Sequence, residues 1–351
     1  MKHLHIVSAK VWGGGEQYIL NLAKLANKMG DEFIVIADSR YPKITARFES
    51  VTTTININLS TFNFPCAAKK IISECHKQKI STINYHSGRL SPLILLITSF
   101  NNTPCFYFKH NVTKAKNDLY HNLLTRRLAN TICVSKAVYD AQVDHCKNNF
   151  RQQFSCIPNG INIPALEDIE EIPHSPFTIG YAGRIVENKG ISILLESHKK
   201  LPFNHKILIA GSLNNDFAKK LHNDYSSDNQ VLFLGHMNDL SLFYKSIDVL
   251  IQPSIVKESF GLSIVEAMSF CNTVIATNQG GPREIIRPNI DGFLIPPNDV
   301  DTLTQAVTYL YEHPEERQKW GKNARQRVID NFSLDRLYKD LDRLYKSVIN
   351  D

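Results

Sequence analysis

The feature that most constrains this chain is an alternation of short apolar runs and amphipathic stretches that stops midway and then starts again. In the first half, His3 to Ser8 reads as a strand and a Gly13-Gly14-Gly15-Glu16 turn follows. Tyr18, Leu22, Leu25 and Met29 then recur at helical spacing before Gly30. Phe33 to Ala37, Thr82 to Tyr85, Cys105 to Phe108 and Thr131 to Val134 read as further strands, with helical stretches between them. Such alternation predicts βαβ units around a parallel sheet. From Cys156 to Pro164 the pattern gives way to turn chemistry, and an acidic stretch, Glu167 to Glu171, follows. The alternation then resumes, with strands predicted at 178–182, 206–210, 231–234, 248–252 and 273–276 and helices at 190–200, 215–225, 239–245 and 261–270. The fold class expected is α/β: two Rossmann-like doubly wound domains facing each other across a cleft, 1–163 and 164–331, with a last helix in 332–351. That helix carries Leu337, Tyr338, Leu341, Leu344, Tyr345 and Val348 on one stripe, so it must pack on something.

Composition narrows the function classes. With 351 residues, 43% hydrophobic and 21% charged, the chain is long enough for two cores and is not globally disordered. Its longest apolar stretch, Leu90 to Phe100, is interrupted by Pro92 and is short of the roughly 20 residues a membrane span needs. The start has one lysine and no long apolar core, unlike a signal peptide. Seven cysteines without a C-x-x-C pair fit a reducing cytoplasm better than a disulfide framework or zinc site. Residues 1–165 hold 20 Lys and Arg against 9 Asp and Glu, a net of +11, whereas the remainder holds 20 against 25, a net of −5. The basic half suits an anionic partner or surface; lysine-rich solvated faces explain it equally well.

Four segments carry chemistry. Gly183, Arg184, Lys189 and Gly190 leave a strand and flank a helix start, where two cations and the helix dipole suit a diphosphate; an ordinary basic surface loop is the alternative. Glu258-Ser259-Phe260-Gly261-Leu262 leads into a helix bearing Glu266. The spacing lets two carboxylates reach hydroxyls of two sugar rings at different depths, against a reading as one capping and one helix-face glutamate. Gly280-Gly281 after a strand offers N–H donors to phosphate or hydroxyls, or simply makes a tight turn. The Gly13–Glu16 turn lacks a third glycine for a dinucleotide fingerprint, although Asp38 ends a strand at about the right remove; Glu16 would crowd a pyrophosphate. His86 and His110 each follow an apolar strand at its carboxyl end, where cleft residues sit, while the other histidines read as surface or core. No H-E-x-x-H occurs and no D-x-D stands beside a strand, so no metal and no cofactor are expected.

Taken in order, the G-G-x-E loop (Gly14, Gly15 and Glu16 in the Gly13-Gly14-Gly15-Glu16 run), Cys133-Val134-Ser135-Lys136-Ala137, Pro158-Asn159-Gly160, Gly183-Arg184 with Lys189-Gly190, and Glu258-x-Phe260-Gly261 through Glu266-Ala267 resemble the retaining glycosyltransferases of family 4, which have the GT-B fold. The resemblance implies an acceptor-side first domain, a donor-binding second domain and a last helix that crosses back to the first. It implies that Arg184 and Lys189 hold the diphosphate of a nucleotide sugar and that Glu266 bonds the ribose. Glu258 would hold the transferred sugar beside the N–H groups of Phe260, Gly261 and Leu262. Gly14 and Gly15 would approach the donor phosphates, Gly235 and His236 the base, and His110 the reacting sugar, with His86 and Glu16 on the acceptor side. The function so implied is metal-independent transfer of a hexose, UDP-linked, to a glycan or lipid-linked acceptor in bacterial surface polysaccharide or lipopolysaccharide synthesis. The alternatives are a non-catalytic nucleotide-sugar-binding subunit and a GT-B epimerase. Nucleic acid is not an expected partner. A helix predicted from Lys114 to Leu128, with Lys114, Lys116, Arg126 and Arg127, suggests contact with the inner face of an anionic membrane; its leucines serve equally well as core.

Overall fold

The computed structural model describes residues 1–169 and 174–350. It divides into two compact units, one of Met1–Asn162 with the helix Leu334–Asn350 and one of Ile163–Ser333. The first unit has seven strands: β1 Lys2–Val7, β2 Glu32–Asp38, β3 Thr53–Ile57, β4 Thr82–Tyr85, β5 Cys105–Lys109, β6 Asn130–Cys133 and β7 Phe154–Cys156. They pair in the order β3-β2-β1-β4-β5-β6-β7, all in parallel. The runs of Phe33 to Ala37 and Leu4 to Val7 are buried on both faces, as a sheet covered by helices on both sides requires. One core packs Ile6, Ile36, Ile83 and Ile94 on one face. The other packs Ile19, Leu22, Val35, Phe106 and Phe108 with Leu337, Leu341 and Tyr345.

The last helix therefore belongs to the first unit. Its apolar stripe lies against the helix Gly14–Met29, and the Tyr345 hydroxyl, buried, donates to Asn84 Oδ1 at 2.9 Å. Arg336 donates to the Pro158 carbonyl at 2.6 Å, and the Leu334 N–H to that of Ile161 at 2.8 Å.

The second unit has six parallel strands: β8 Phe177–Ala182, β9 His205–Ala210, β10 Val231–Gly235, β11 Val249–Gln252, β12 Thr273–Thr277 and β13 Gly292–Ile295. Their order is β10-β9-β8-β11-β12-β13, so the chain direction across the sheet reverses between β8 and β11. The carboxyl ends of strands at such a reversal form a natural crevice, because the loops leave in opposite directions. Gln252 at the end of β11 ties the two strands by donating to the Ala182 carbonyl at 2.6 Å.

Gly14 and Gly15 form the first turn of a helix rather than a loop, with Gly13 as its N-cap. The helix predicted from Lys114 begins only at Leu119, because Asp118 caps it by accepting from the His121 N–H at 3.0 Å; it ends at Arg127. Leu119 and Leu123 are exposed while Leu124 and Leu128 are core, so the helix divides between the two roles weighed for it. Of the acidic stretch, Glu167–Ile169 is a single 3-10 turn, and Glu170 and Glu171 lie outside the described residues.

Candidate functional site

Of the predicted donor residues of the second unit, Gly183, Lys189, Glu258, Phe260, Gly261 and Leu262 lie in the loops and helix start after β8 and β11. After β8, a loop carries Arg184 into solvent and runs through the 3-10 turn Glu187–Lys189. Gly190 then turns with φ +69°, and a Cβ there would meet the Pro253 carbonyl oxygen at 1.9 Å. The Ile255 N–H donates to the Asn188 carbonyl at 3.0 Å, so the loops after β8 and β11 are stitched together. This close approach brings Lys189 onto Glu258: the ammonium pairs with Glu258 Oε1, which also accepts from the Ser254 hydroxyl. Both charged side chains are mostly buried, at 19% and 16% exposure. Glu258 thus neutralises Lys189, while Arg184 in the same loop is exposed to solvent.

Those donors stand at the start of the helix Leu262–Ser269. Gly261, its N-cap, has φ +117°, and the N–H groups of Phe260, Gly261 and Leu262 have no acceptor among the described residues. Of the Gly280–Gly281 pair, Gly281 spends its N–H inside the fold. The Gly281 N–H donates to the Glu258 carbonyl at 2.9 Å, and its α-carbon lies where a Cβ would meet the Phe260 carbonyl oxygen at 2.1 Å. The glycines are what lets β12 support the Glu258–Phe260 loop from beneath. Phe260 itself is buried and packs edge-on to Phe332.

Glu266 does not join the Lys189–Glu258 cluster. It lies in the second turn of its helix, where Oε2 accepts from the Tyr244 hydroxyl at 2.9 Å. Burial pushes its pKa up to about 6, although the tyrosine hydrogen bond favours the charged form. Gly235, with φ +71°, ends β10, and His236 after it is exposed. Tyr244 and Ser254, the partners of the two glutamates, carry no sequence motif. A tyrosine 22 residues before its carboxylate becomes recognisable only once the helices pack.

In the first unit, Glu16 accepts from the Gly13 N–H at 2.9 Å and so caps its own helix. Gly14 is exposed in the first turn. Asp38 is unavailable to a ribose. Its side chain is 1% exposed and is gripped by Arg40 at 3.0 and 2.7 Å, with the Ser8 hydroxyl also bonded. Burial works against its charge, but these bonds more than offset it and lower its pKa. The dinucleotide reading of this turn therefore falls. His86 and His110 sit where expected, at the carboxyl ends of β4 and β5, and are bonded to each other: His86 Nδ1 lies 3.1 Å from His110 Nε2. His5, read from sequence as a surface or core residue, is part of the same group, 2.9 Å from His86.

Two family models match the chain in succession, Glycosyltransferase Family 4 over residues 12–164 and Glycosyl transferases group 1 over residues 162–327. The chain is similar to the capsular polysaccharide biosynthesis glycosyltransferase CapM of Staphylococcus aureus, at 28% identity over 53% of this chain and 50% of that one. It spans about half the length of several other curated relatives as well. To the O-antigen chain mannosyltransferase C of Escherichia coli it is 24% identical over 99% of both. Among solved structures, a glycosyltransferase from Rickettsia africae superposes with a TM-score of 0.85 at 24% identity, covering 100% of this chain and 99% of that one. Anabaena HepE in complex with UDP-glucose superposes at 0.82 with 19% identity, over 99% and 100%. The fold is GT-B. Matched in order by both halves of the family signature, the chain belongs to the family 4, group 1 glycosyltransferases.

Proposed function

We propose that this protein is a retaining, metal-independent glycosyltransferase that moves a hexose from a UDP-linked donor to a glycan or lipid-linked acceptor in bacterial surface polysaccharide or lipopolysaccharide synthesis. The observation that carries the reading is the crevice at the β8/β11 reversal. There the Lys189–Glu258 pair and the N–H groups of Phe260–Leu262, which have no acceptor among the described residues, meet on two stitched loops and a helix start, with Arg184 exposed in the same β8 loop. A diphosphate is the ligand that such a set of donors fits. The names of relatives that act in capsule and O-antigen synthesis, and of a fold neighbour bound to UDP-glucose, support the donor and acceptor classes.

In the mechanism proposed, the bond between the anomeric carbon and the phosphate oxygen stretches, leaving oxocarbenium character on the sugar and negative charge on the nucleotide. In this reading Arg184 and the N–H groups at the helix start meet that charge, and Lys189, held by Glu258, shares its ammonium with the phosphate; one such group typically contributes about 3 kcal/mol to lowering a barrier. The acceptor hydroxyl attacks on the same face and passes its proton to a departing phosphate oxygen, which retains configuration. Glu258, held by Lys189 and Ser254, positions hydroxyls of the transferred sugar, and Glu266 bonds the ribose. Gly235 and His236 meet the base. The resemblance assigns Gly14, Gly15 and His110 to the donor, and His86 and Glu16 to the acceptor. Among the described residues no group of three His, Cys, Asp or Glu side chains is arranged to hold a metal ion.

No helix among the described residues is long and apolar enough to cross a membrane. Exposed Lys114, Lys116, Leu119 and Leu123 together support peripheral contact with an anionic bilayer at its cytoplasmic face. The enzymatic reading is tested by incubating the protein with a panel of nucleotide sugars and acceptors in the presence of chelator, with the anomeric configuration of the product read by NMR. Turnover that survives Lys189→Ala or Glu258→Ala unchanged contradicts the assigned roles.

A further inference from the structure

Three imidazoles cross the first unit's sheet on a diagonal. His5 is paired with Asn84 across β1 and β4, and Asn84 with Phe106 across β4 and β5. His86 and His110 therefore each stand two rungs further toward the carboxyl rim than the residue below them, on the same face of the sheet. The rings touch end to end: His5 Nδ1 to His86 Nε2 at 2.9 Å, then His86 Nδ1 to His110 Nε2 at 3.1 Å. Each ring is also held by an aromatic neighbour. Phe33 stacks on His5 at 4.1 Å, Phe108 on His86 at 4.6 Å, and Tyr18 meets His110 edge-on at 5.4 Å.

A neutral imidazole has one N–H and one bare nitrogen, so two hydrogen bonds in series permit only two arrangements. In one, every proton sits on Nδ1 and points toward the rim. In the other, every proton sits on Nε2 and points inward from His110 to His5. The inner end decides between them. His5 Nε2 has no hydrogen-bond partner among the described residues, and His5 lines a small cavity whose walls include Leu22, Phe33, Leu341 and Tyr345. Asp342, His3 and Tyr338 share that cavity, each with polar atoms engaged elsewhere: Asp342 Oδ2 accepts from Lys346 at 2.7 Å, His3 Nδ1 lies 2.8 Å from the Thr82 hydroxyl, and the Tyr338 hydroxyl donates to Asp31. A buried N–H without an acceptor is less tolerable than a bare lone pair, which favours the outward arrangement. All three rings stay neutral: burial lowers their pKa values, to about 4 for His110, and at His86 the neighbouring rings add to the effect.

We propose that His5 and His86 are positioning residues that lock His110 as the neutral Nδ1–H tautomer, so that a hydroxyl of the bound sugar meets a donor. Resting on the glycosyltransferase reading, this gives the lock a chemical purpose. A neutral donor polarises a sugar oxygen without placing a second positive charge beside an oxocarbenium-like centre.

The test uses the full chain with 15N-labelled imidazoles and long-range 1H–15N NMR. His5, His86 and His110 are expected to carry their protons on Nδ1; a proton on His110 Nε2 overturns the proposal. In His86→Leu, His110 should become a mixture of tautomers. Its kcat should fall about tenfold, the effect of losing one hydrogen bond's worth of free energy, with KM for the donor within about twofold of wild type. His86→Asn, whose amide can still donate where Nδ1 stood, should restore both the tautomer and most of kcat. If His86→Leu fails to fold, His5→Phe, which keeps the stack on Phe33, makes the same test from the inner end. An unchanged tautomer and kcat in His5→Phe refutes the lock. Should the wild-type protein neither transfer nor hydrolyse any nucleotide sugar, the proposed function fails, while the NMR still decides whether the lock exists.

Discussion

Replacing Glu266 with glutamine should stabilise the protein at neutral and alkaline pH while weakening its hold on a nucleotide. Burial raises the pKa of this carboxyl from an ordinary 4.5 to about 6. The native state therefore keeps the proton to a higher pH than the unfolded chain does. Stability is lost as pH rises from about 4.5 to about 6, and the whole deficit is present above that range. Each pH unit of displacement corresponds to 1.36 kcal/mol, which gives a ceiling of about 2 kcal/mol. Because Glu266 keeps part of its surface in solvent, about 1–2 kcal/mol is the expected gain in Glu266→Gln at pH 8. At pH 4.5 the gain should shrink toward zero. Glutamine still accepts from Tyr244 and has the same helix propensity, so little else changes. Urea unfolding at the two pH values measures the gain, and calorimetry with UDP measures the lost affinity. Tyr244→Phe perturbs the same group the other way. It removes a donor worth about 1.5–3 kcal/mol to the charged form and should move the Glu266 titration up by about one to two pH units. A gain in Glu266→Gln that is equal at both pH values, or absent at pH 8, refutes the reasoning.

Glu258→Gln removes the carboxylate that neutralises Lys189, so UDP should bind several-fold more tightly by calorimetry even as sugar transfer falls; weaker UDP binding would argue against the pairing's electrostatic role. Gly281→Ala puts a methyl against the Phe260 carbonyl oxygen and should cost about 1–3 kcal/mol, read as a lowered Tm, together with weaker UDP binding as the Glu258 loop shifts. His3 and His110 have pKa values lowered by burial from 6.5 to about 4, so the unfolded state gains protons that the native state refuses. Stability in urea should accordingly drop as pH falls from about 6.5 to about 4, two histidines outweighing the opposite slope from Glu266, and a rise across that window would contradict it. Sedimentation with anionic vesicles at low salt should carry the protein down, and charge reversal at Lys114 and Lys116 should release it; no binding by the wild type removes the membrane contact.

The central strands and the helices beside them were legible because β1, β2, β4, β8 and β11 are buried on both faces and so are mostly apolar, with a few buried polar residues such as His5, Asn84 and Gln252 among them. Edge strands have no such requirement. β3 reads Thr53-Thr54-Ile55-Asn56-Ile57 and is largely open on one side, β7 is three residues long, and both passed without a sequence signal. The motif residues Arg184, Lys189, Glu258 and Glu266 were legible too, since a loop glycine and a charge at fixed spacing are local facts. What each charge does depends on partners brought from far along the chain. Lys189 meets Glu258 69 residues away, and His5 meets His86 across 81. The sequence alone determined two parallel-sheet domains and which loops carry the polar groups. That one of two apparent cations is already neutralised, and that a core histidine reaches the rim through two others, emerges only from packing across the fold. Strand order and register, which set those meetings, are long-range properties that no local spacing encodes.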